Sequence, residues 1–118
     1  MPVMLYTTNY VPGYKVDKVF GLVFGLTVRS RGLGRNITAG LRSIGGGEIT
    51  EYTDLAHQSR QQSLDRLSEQ AQAMGANAVI SVMFDSTSIG ETMSEIIAFG
   101  TAVQISPVTE GQQLVKLS

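Results

Sequence analysis

The sequence has no cysteine, no tryptophan and only one histidine among its 118 residues. Without cysteine there is no disulfide scaffold, no thiolate zinc or iron–sulfur centre and no thiol nucleophile. With His57 alone there is no two-histidine metal triad within one chain. Charge of one sign is also missing: 9 basic and 10 acidic side chains leave a net charge of −1. Such a balance gives no global attraction to nucleic acid or anionic lipid, so neither is expected as a partner. No GK[ST] triplet marks a P-loop and no G-x-S-x-G frames a nucleophilic serine. Residues 1–8 carry neither a basic n-region nor an apolar run of signal-peptide length. The longest apolar stretch, residues 19–28, is interrupted by Gly21, Gly25 and Thr27, and is about half of the roughly 20 residues a membrane span needs. The expectation is a cytoplasmic protein, with residues 1–105 as one domain and 106–118 as an extended tail. A chain of this length buries roughly two-thirds of its unfolded surface, enough for one core without staples.

The residues present set out an α+β chain. Residues 3–8 read as a short strand closed by the turn Tyr10-Val11-Pro12-Gly13. Residues 14–29 alternate with period 2. Phe20, Leu22, Phe24, Leu26 and Val28 fall on one face, and Val19, Gly21, Val23, Gly25 and Thr27 on the other. Residues 51–74 read as the one long helix, with Thr50 as N-cap, Glu51 and Asp54 at the positive end of the dipole, and Gly75 as the C′ stop. Leu64, Leu67, Ala71 and Met74 recur at steps of three and four along it. Strands are expected at 77–85 and 95–105, joined by a polar turn over 86–94. The order is β-β-α-β-β, one helix on an antiparallel sheet.

One helix covers one face of a sheet. The face carrying Val19, Gly21, Val23, Gly25, Ile96, Ala98, Gly100 and Ala102 is small and apolar, and no second helix is available for it. A partner subunit is its expected cover, since small residues let another backbone approach closely.

Two constellations are candidate sites. Arg29, Arg31 and Arg35 alternate with Gly32 and Gly34, and Arg42 follows. Guanidinium forks match phosphate or carboxylate oxygens, and glycines admit backbone N–H groups to an anion. The run is not a dinucleotide fingerprint, because Ile37 stands where G-x-G-x-x-G requires glycine. The other reading of these arginines is structural, pairing with Glu48, Glu51 or Asp85 across subunits. Glu48, Glu51, Asp54 and His57 recur every three residues and form an oxygen/nitrogen set for a borderline divalent cation. The simpler reading is an acidic first helical turn, with His57 solvated or capping locally. His57 with Asp54 as orienter is a conceivable general base, with no nucleophile placed beside it.

Thr7-Thr8, Pro12-Gly13-Tyr14, Gly21-Leu22-Val23-Phe24-Gly25, Val28-Arg29-Ser30-Arg31, Gly46-Gly47-Glu48-Ile49, Glu51-Tyr52-Thr53, Gly75-Ala76-Asn77-Ala78-Val79 and Phe84-Asp85-Ser86 together closely resemble the YbjQ-like family. Its members are small bacterial and archaeal proteins described as "putative heavy-metal-binding". The resemblance spans residues 4–105 and implies a dodecin-like β-α-β-β two-layer sandwich with extra short strands, assembled into a pentameric ring that can stack further. The central-loop motifs Gly40-Leu41-Arg42 and Gly45-Gly46-Gly47-Glu48 match the family, and the lack of cysteine excludes a thiolate version of its metal description. The resulting expectation is a non-enzymatic homo-oligomeric ring that binds a small or anionic ligand around Arg29, Arg31, Gly32, Gly34, Arg35, Arg42 and Glu48. The alternatives are a divalent-metal protein using Glu48, Glu51, Asp54 and His57, or an enzyme on an anionic substrate. No cofactor is named by the sequence.

Overall fold

The computed structural model describes residues 2–30 and 50–108. In chain order the elements are β1 (Met4–Leu5), β2 (Tyr14–Ser30), α1 (Thr50–Ala73), β3 (Ala78–Ile89) and β4 (Met93–Pro107). The helix stops as the sequence predicts. Gly75 adopts φ +91°. Its N–H donates to the Gln72 carbonyl and the Ala76 N–H to the Ala71 carbonyl, each at 3.0 Å. This is the paired closure of a glycine-capped C-terminus. No helix of the described residues is long and apolar enough to cross a membrane.

The described residues form an α+β fold, one helix on a four-stranded sheet of order β1-β3-β4-β2. The sheet is mixed, not wholly antiparallel, because β1 runs parallel to β3. The Met4 N–H donates to the Asn77 carbonyl (3.0 Å) and the Tyr6 N–H to the Val79 carbonyl (2.9 Å). In return the Ser81 N–H reaches the Thr8 carbonyl (2.8 Å) and the Val82 N–H the Tyr6 carbonyl (3.0 Å). Alternation reports a strand's faces but not its direction, so this pairing was not readable from the pattern. Nor was the length of the β3–β4 hairpin. Both strands run through most of the expected polar turn and close around Gly90 at φ +64°. That stretch is polar because it lies beyond the core, with residues 85–93 exposed throughout.

The helix lies on the face that was expected to need a partner. Val23, Ala98 and Ala102 pack with Leu67, Ala71, Ala76, Val79 and Val82 in the main core. A Cβ on Gly25 would overlap the Ser63 carbonyl oxygen and the Leu67 nitrogen of the helix backbone. Small residues on this face therefore admit α1 of the same chain, not a second subunit. The bulky face is the one left open: Leu22 is 68% exposed, Met83 59%, Val28 43%, Phe24 42% and Leu26 36%. A register shift between Val19 and Gly21, with Gly21 at φ +119°, changes the phase of β2. Phe20, grouped by alternation with Leu22, consequently packs against the helix-side core.

Among the described residues, the open face is covered at one end alone. There Val11 seals Ala78, Val103 and Ile105, with Met4, Tyr6, Tyr14 and Ile80 packed around them. Asn77 fixes that end: its Nδ2 donates to the Ile105 carbonyl and its Oδ1 accepts from the Ile105 N–H, both at 2.8 Å. A register shift in β3, between Ile80 and Met83, accommodates Ser81 at φ +56° and separates the covered half of β3 from the open half.

Two substitutions check this packing by thermal unfolding. Gly25→Ala is expected to destabilise the fold by about 1–3 kcal/mol, the usual cost of overpacking. Leu67→Ala, emptying a fully buried position, is expected to cost about 2–5 kcal/mol.

Candidate functional site

The sheet end that leads into residues 31–49 gathers polar side chains between β2 and the helix. Alternation places Val23, Gly25, Thr27 and Arg29 successively on the helix side. Arg29 is half-buried. Its Nε donates to Ser59 Oγ at 2.7 Å and its Nη2 to Gln62 Oε1 at 3.2 Å. One step further in, Ser63 Oγ donates to the Ile96 carbonyl at 3.0 Å. With that proton committed, the 3.0 Å contact between Thr27 Oγ1 and Ser63 Oγ has Thr27 as donor. No buried side-chain nitrogen or oxygen among the described residues lacks a partner, as a polar seam at a core edge requires.

β2 is an edge strand, and the helix also closes part of its outer edge. Gln70 Oε1 accepts from the Phe24 N–H at 2.7 Å, and Arg66 Nη1 donates to the Leu26 carbonyl at 2.6 Å. These side chains occupy the positions another strand would use, a recognised way of protecting an edge. Arg60 stands over the Phe84 ring, its guanidinium carbon 5.2 Å from the centroid, a cation–π arrangement.

Of the residues that the sequence nominated for an anion, Arg29 lies among the described residues, and its hydrogen-bond acceptors are neutral side chains of α1. Arg31, Gly32, Gly34, Arg35, Arg42 and Glu48 lie outside the described residues, as does the side chain of Glu51. Asp54 and His57 are exposed on α1. Among the described residues no three His, Asp or Glu side chains converge as a metal-binding group. Ser59, Gln62, Arg66 and Gln70 were not singled out by the sequence reading. Their signal is a polar row at helical steps of three and four beside Leu67 and Ala71.

The YbjQ family model, described as "Putative heavy-metal-binding", matches residues 3–106. A UPF0145 protein of Methanocella arvoryzae is 56% identical over 115 residues, covering 98% of this chain and 96% of that one. One from Thermoplasma acidophilum is 53% identical over 116 residues, covering 98% of each. One from Saccharolobus solfataricus is 60% identical over 94 residues, covering 80% of this chain and 82% of the other. Among solved structures, a Pediococcus pentosaceus protein of unknown function from the DUF74 family superposes with a TM-score of 0.57. It covers 88% of this chain and 98% of its own at 12% identity, a likeness of fold alone. With half or more of the residues shared along nearly the full length, this chain belongs to the YbjQ family.

Proposed function

We propose that the protein is a cytoplasmic, non-enzymatic homo-oligomer, a pentameric ring, that binds a small or anionic ligand near its Arg/Gly-rich segment. The observation that carries the assembly is the open sheet face. Leu22, Phe24, Leu26, Val28 and Met83 stand in water on one surface, where a solvated sheet ordinarily carries polar residues. Burying each such side chain stabilises by about 1.5–3 kcal/mol. A second copy is the proposed occupant because these five side chains are apolar and repeated self-contacts close by symmetry. The pentameric number rests on the family resemblance. The ligand reading rests on Arg29, held by Ser59 and Gln62 at the strand end, and on Arg31, Gly32, Gly34 and Arg35, which follow it in the sequence. Arg42 and Glu48 complete the proposed binding set. Such arginines suit an oxyanion.

Native mass spectrometry of the protein as purified is expected to give a mass near five chains, or ten, with a reproducible excess from the ligand. The double variant Leu22→Lys/Met83→Lys is expected to run as a monomer with its helix content intact by circular dichroism. Unchanged assembly in that variant refutes the face as the interface. Arg31→Glu/Arg35→Glu is expected to lose the excess mass and keep the assembly. If that variant dissociates, those arginines are structural.

A further inference from the structure

One rung of the sheet carries opposite charges at its two outer ends. Leu26 pairs with Ile97 and Ile97 with Asp85, so this rung crosses β2, β4 and β3. At the β2 end Arg66 reaches round from α1, and its Nη1 donates to the Leu26 carbonyl at 2.6 Å. That carbonyl points away from β4, so Ile97 turns its own backbone groups to Asp85, and the next N–H along β3, that of Ser86, points outward. Asp85 Oδ1 accepts from it at 2.8 Å. Among the described residues no strand lies beside β3 beyond Val82, since β1 pairs with Ala78 and Val79 and the residues after it reach Ser81 and Val82. Arg66 and Asp85 are both exposed. Each is held by an uncharged backbone group, which leaves its charge unneutralised. Two strand spacings, roughly 10 Å, separate the ends of the rung, and the charges sit on its outward sides, where they serve a neighbour better than each other.

We infer that Arg66 of one copy pairs with Asp85 of the next, joining the β2 edge of each subunit to the β3 edge of its neighbour. The inference rests on the homo-oligomeric reading and adds to it the contact that sets the order of the copies. A second copy is the occupant of each edge because the two ends of one rung are complementary in charge. Like edges repel: β3 against β3 sets Asp85 against Asp85, and β2 against β2 sets Arg66 against Arg66. The contact is therefore head-to-tail, and such a contact repeats until a ring closes, where a two-fold contact stops at a dimer. Continuous strand pairing across the junction is blunted, since the Leu26 carbonyl and the Ser86 N–H are already engaged at that level. The guanidinium keeps further N–H donors after its bond to Leu26, and a carboxylate accepts more than one hydrogen bond, so the pair can form in two-pronged geometry. Glu95, the other carboxylate on this face, sits on the central strand β4, away from either edge. Met83, two residues before Asp85 on the open face, borders the junction.

Analytical ultracentrifugation of the full chain over a dilution series is the test. Asp85→Asn is expected to weaken self-association about tenfold, the scale of one interfacial charge pair. Asp85→Arg and Arg66→Asp each set like charges together, and each is expected to sediment as a monomer where the unaltered protein is assembled. The double reversal Asp85→Arg/Arg66→Asp restores the pair with its signs exchanged and is expected to reassemble. Glu91→Arg, the same change of charge at the hairpin turn, is expected to leave association unchanged. Circular dichroism on each variant separates loss of contact from loss of fold. Should a reversal fail to fold, the neutral variants Asp85→Asn and Arg66→Gln decide by the same measurement. Asp85 variants that associate like the unaltered protein overturn the inference, as does a folded double reversal that stays dissociated. Assembly that survives Asp85→Arg but is lost in Leu22→Lys/Met83→Lys leaves the homo-oligomeric reading standing and removes the edge contact alone. An unaltered protein that is monomeric removes both.

Discussion

The contact on which the rest of the molecule depends is the approach of the α1 backbone to Gly25. Only hydrogen fits between that Cα and the helix at Ser63 and Leu67. Such a short separation requires the neighbouring sheet positions to be small, and Ala98 and Ala102 are. It also lets short polar side chains span the gap. Ser59 and Ser63 reach Arg29 and Thr27 directly, and Gln70 and Arg66 reach the backbone of β2. A larger residue on this face would lift the helix, empty the space around Leu67 and break the polar seam together.

The same contact sets what the opposite face looks like. Because the strand period is two, assigning the small residues of β2 to the helix leaves the large ones outward. Leu22, Phe24, Leu26 and Val28 are the necessary complement of Val23, Gly25, Thr27 and Arg29. The open apolar surface and the polar seam that holds Arg29 are therefore two consequences of one alternation. A one-residue slip would destroy both.

Much of the fold was legible in the sequence and one assignment was reversed. The helix and its glycine stop, the long strand and its two unlike faces followed from spacing and from Gly75. The reversal concerned which face the helix takes. Bulk had been read as core, yet a helix packs as readily on glycine and alanine when its own backbone comes close. Alternation could not see the phase change at Gly21, which sends Phe20 to the helix side while Leu22 turns outward. The parallel pairing of β1 depends on carbonyls of Asn77 and Val79 that are distant in sequence. At the candidate site, Arg29 was legible as an unusual arginine near glycines, but its anchors Ser59 and Gln62 lie on another element, and only the fold joins them. The Ser86–Ser94 stretch was read as a turn because polarity in a strand with no core beneath it carries no period.

The central claim is that the small face holds the helix and the bulky face meets another copy. Methionine oxidation by dilute peroxide tests it directly, because Met83 sits on the open sheet face and Met74 just beyond the helix end, at 59% and 39% exposure in the single chain. Exposure governs the rate at which a thioether is oxidised. The account predicts that Met83 is oxidised more slowly than Met74 at concentrations where the protein is assembled, the order reversing on dilution to the monomer. Met83 oxidising faster than Met74 at every concentration, with the protein still assembled, would contradict it.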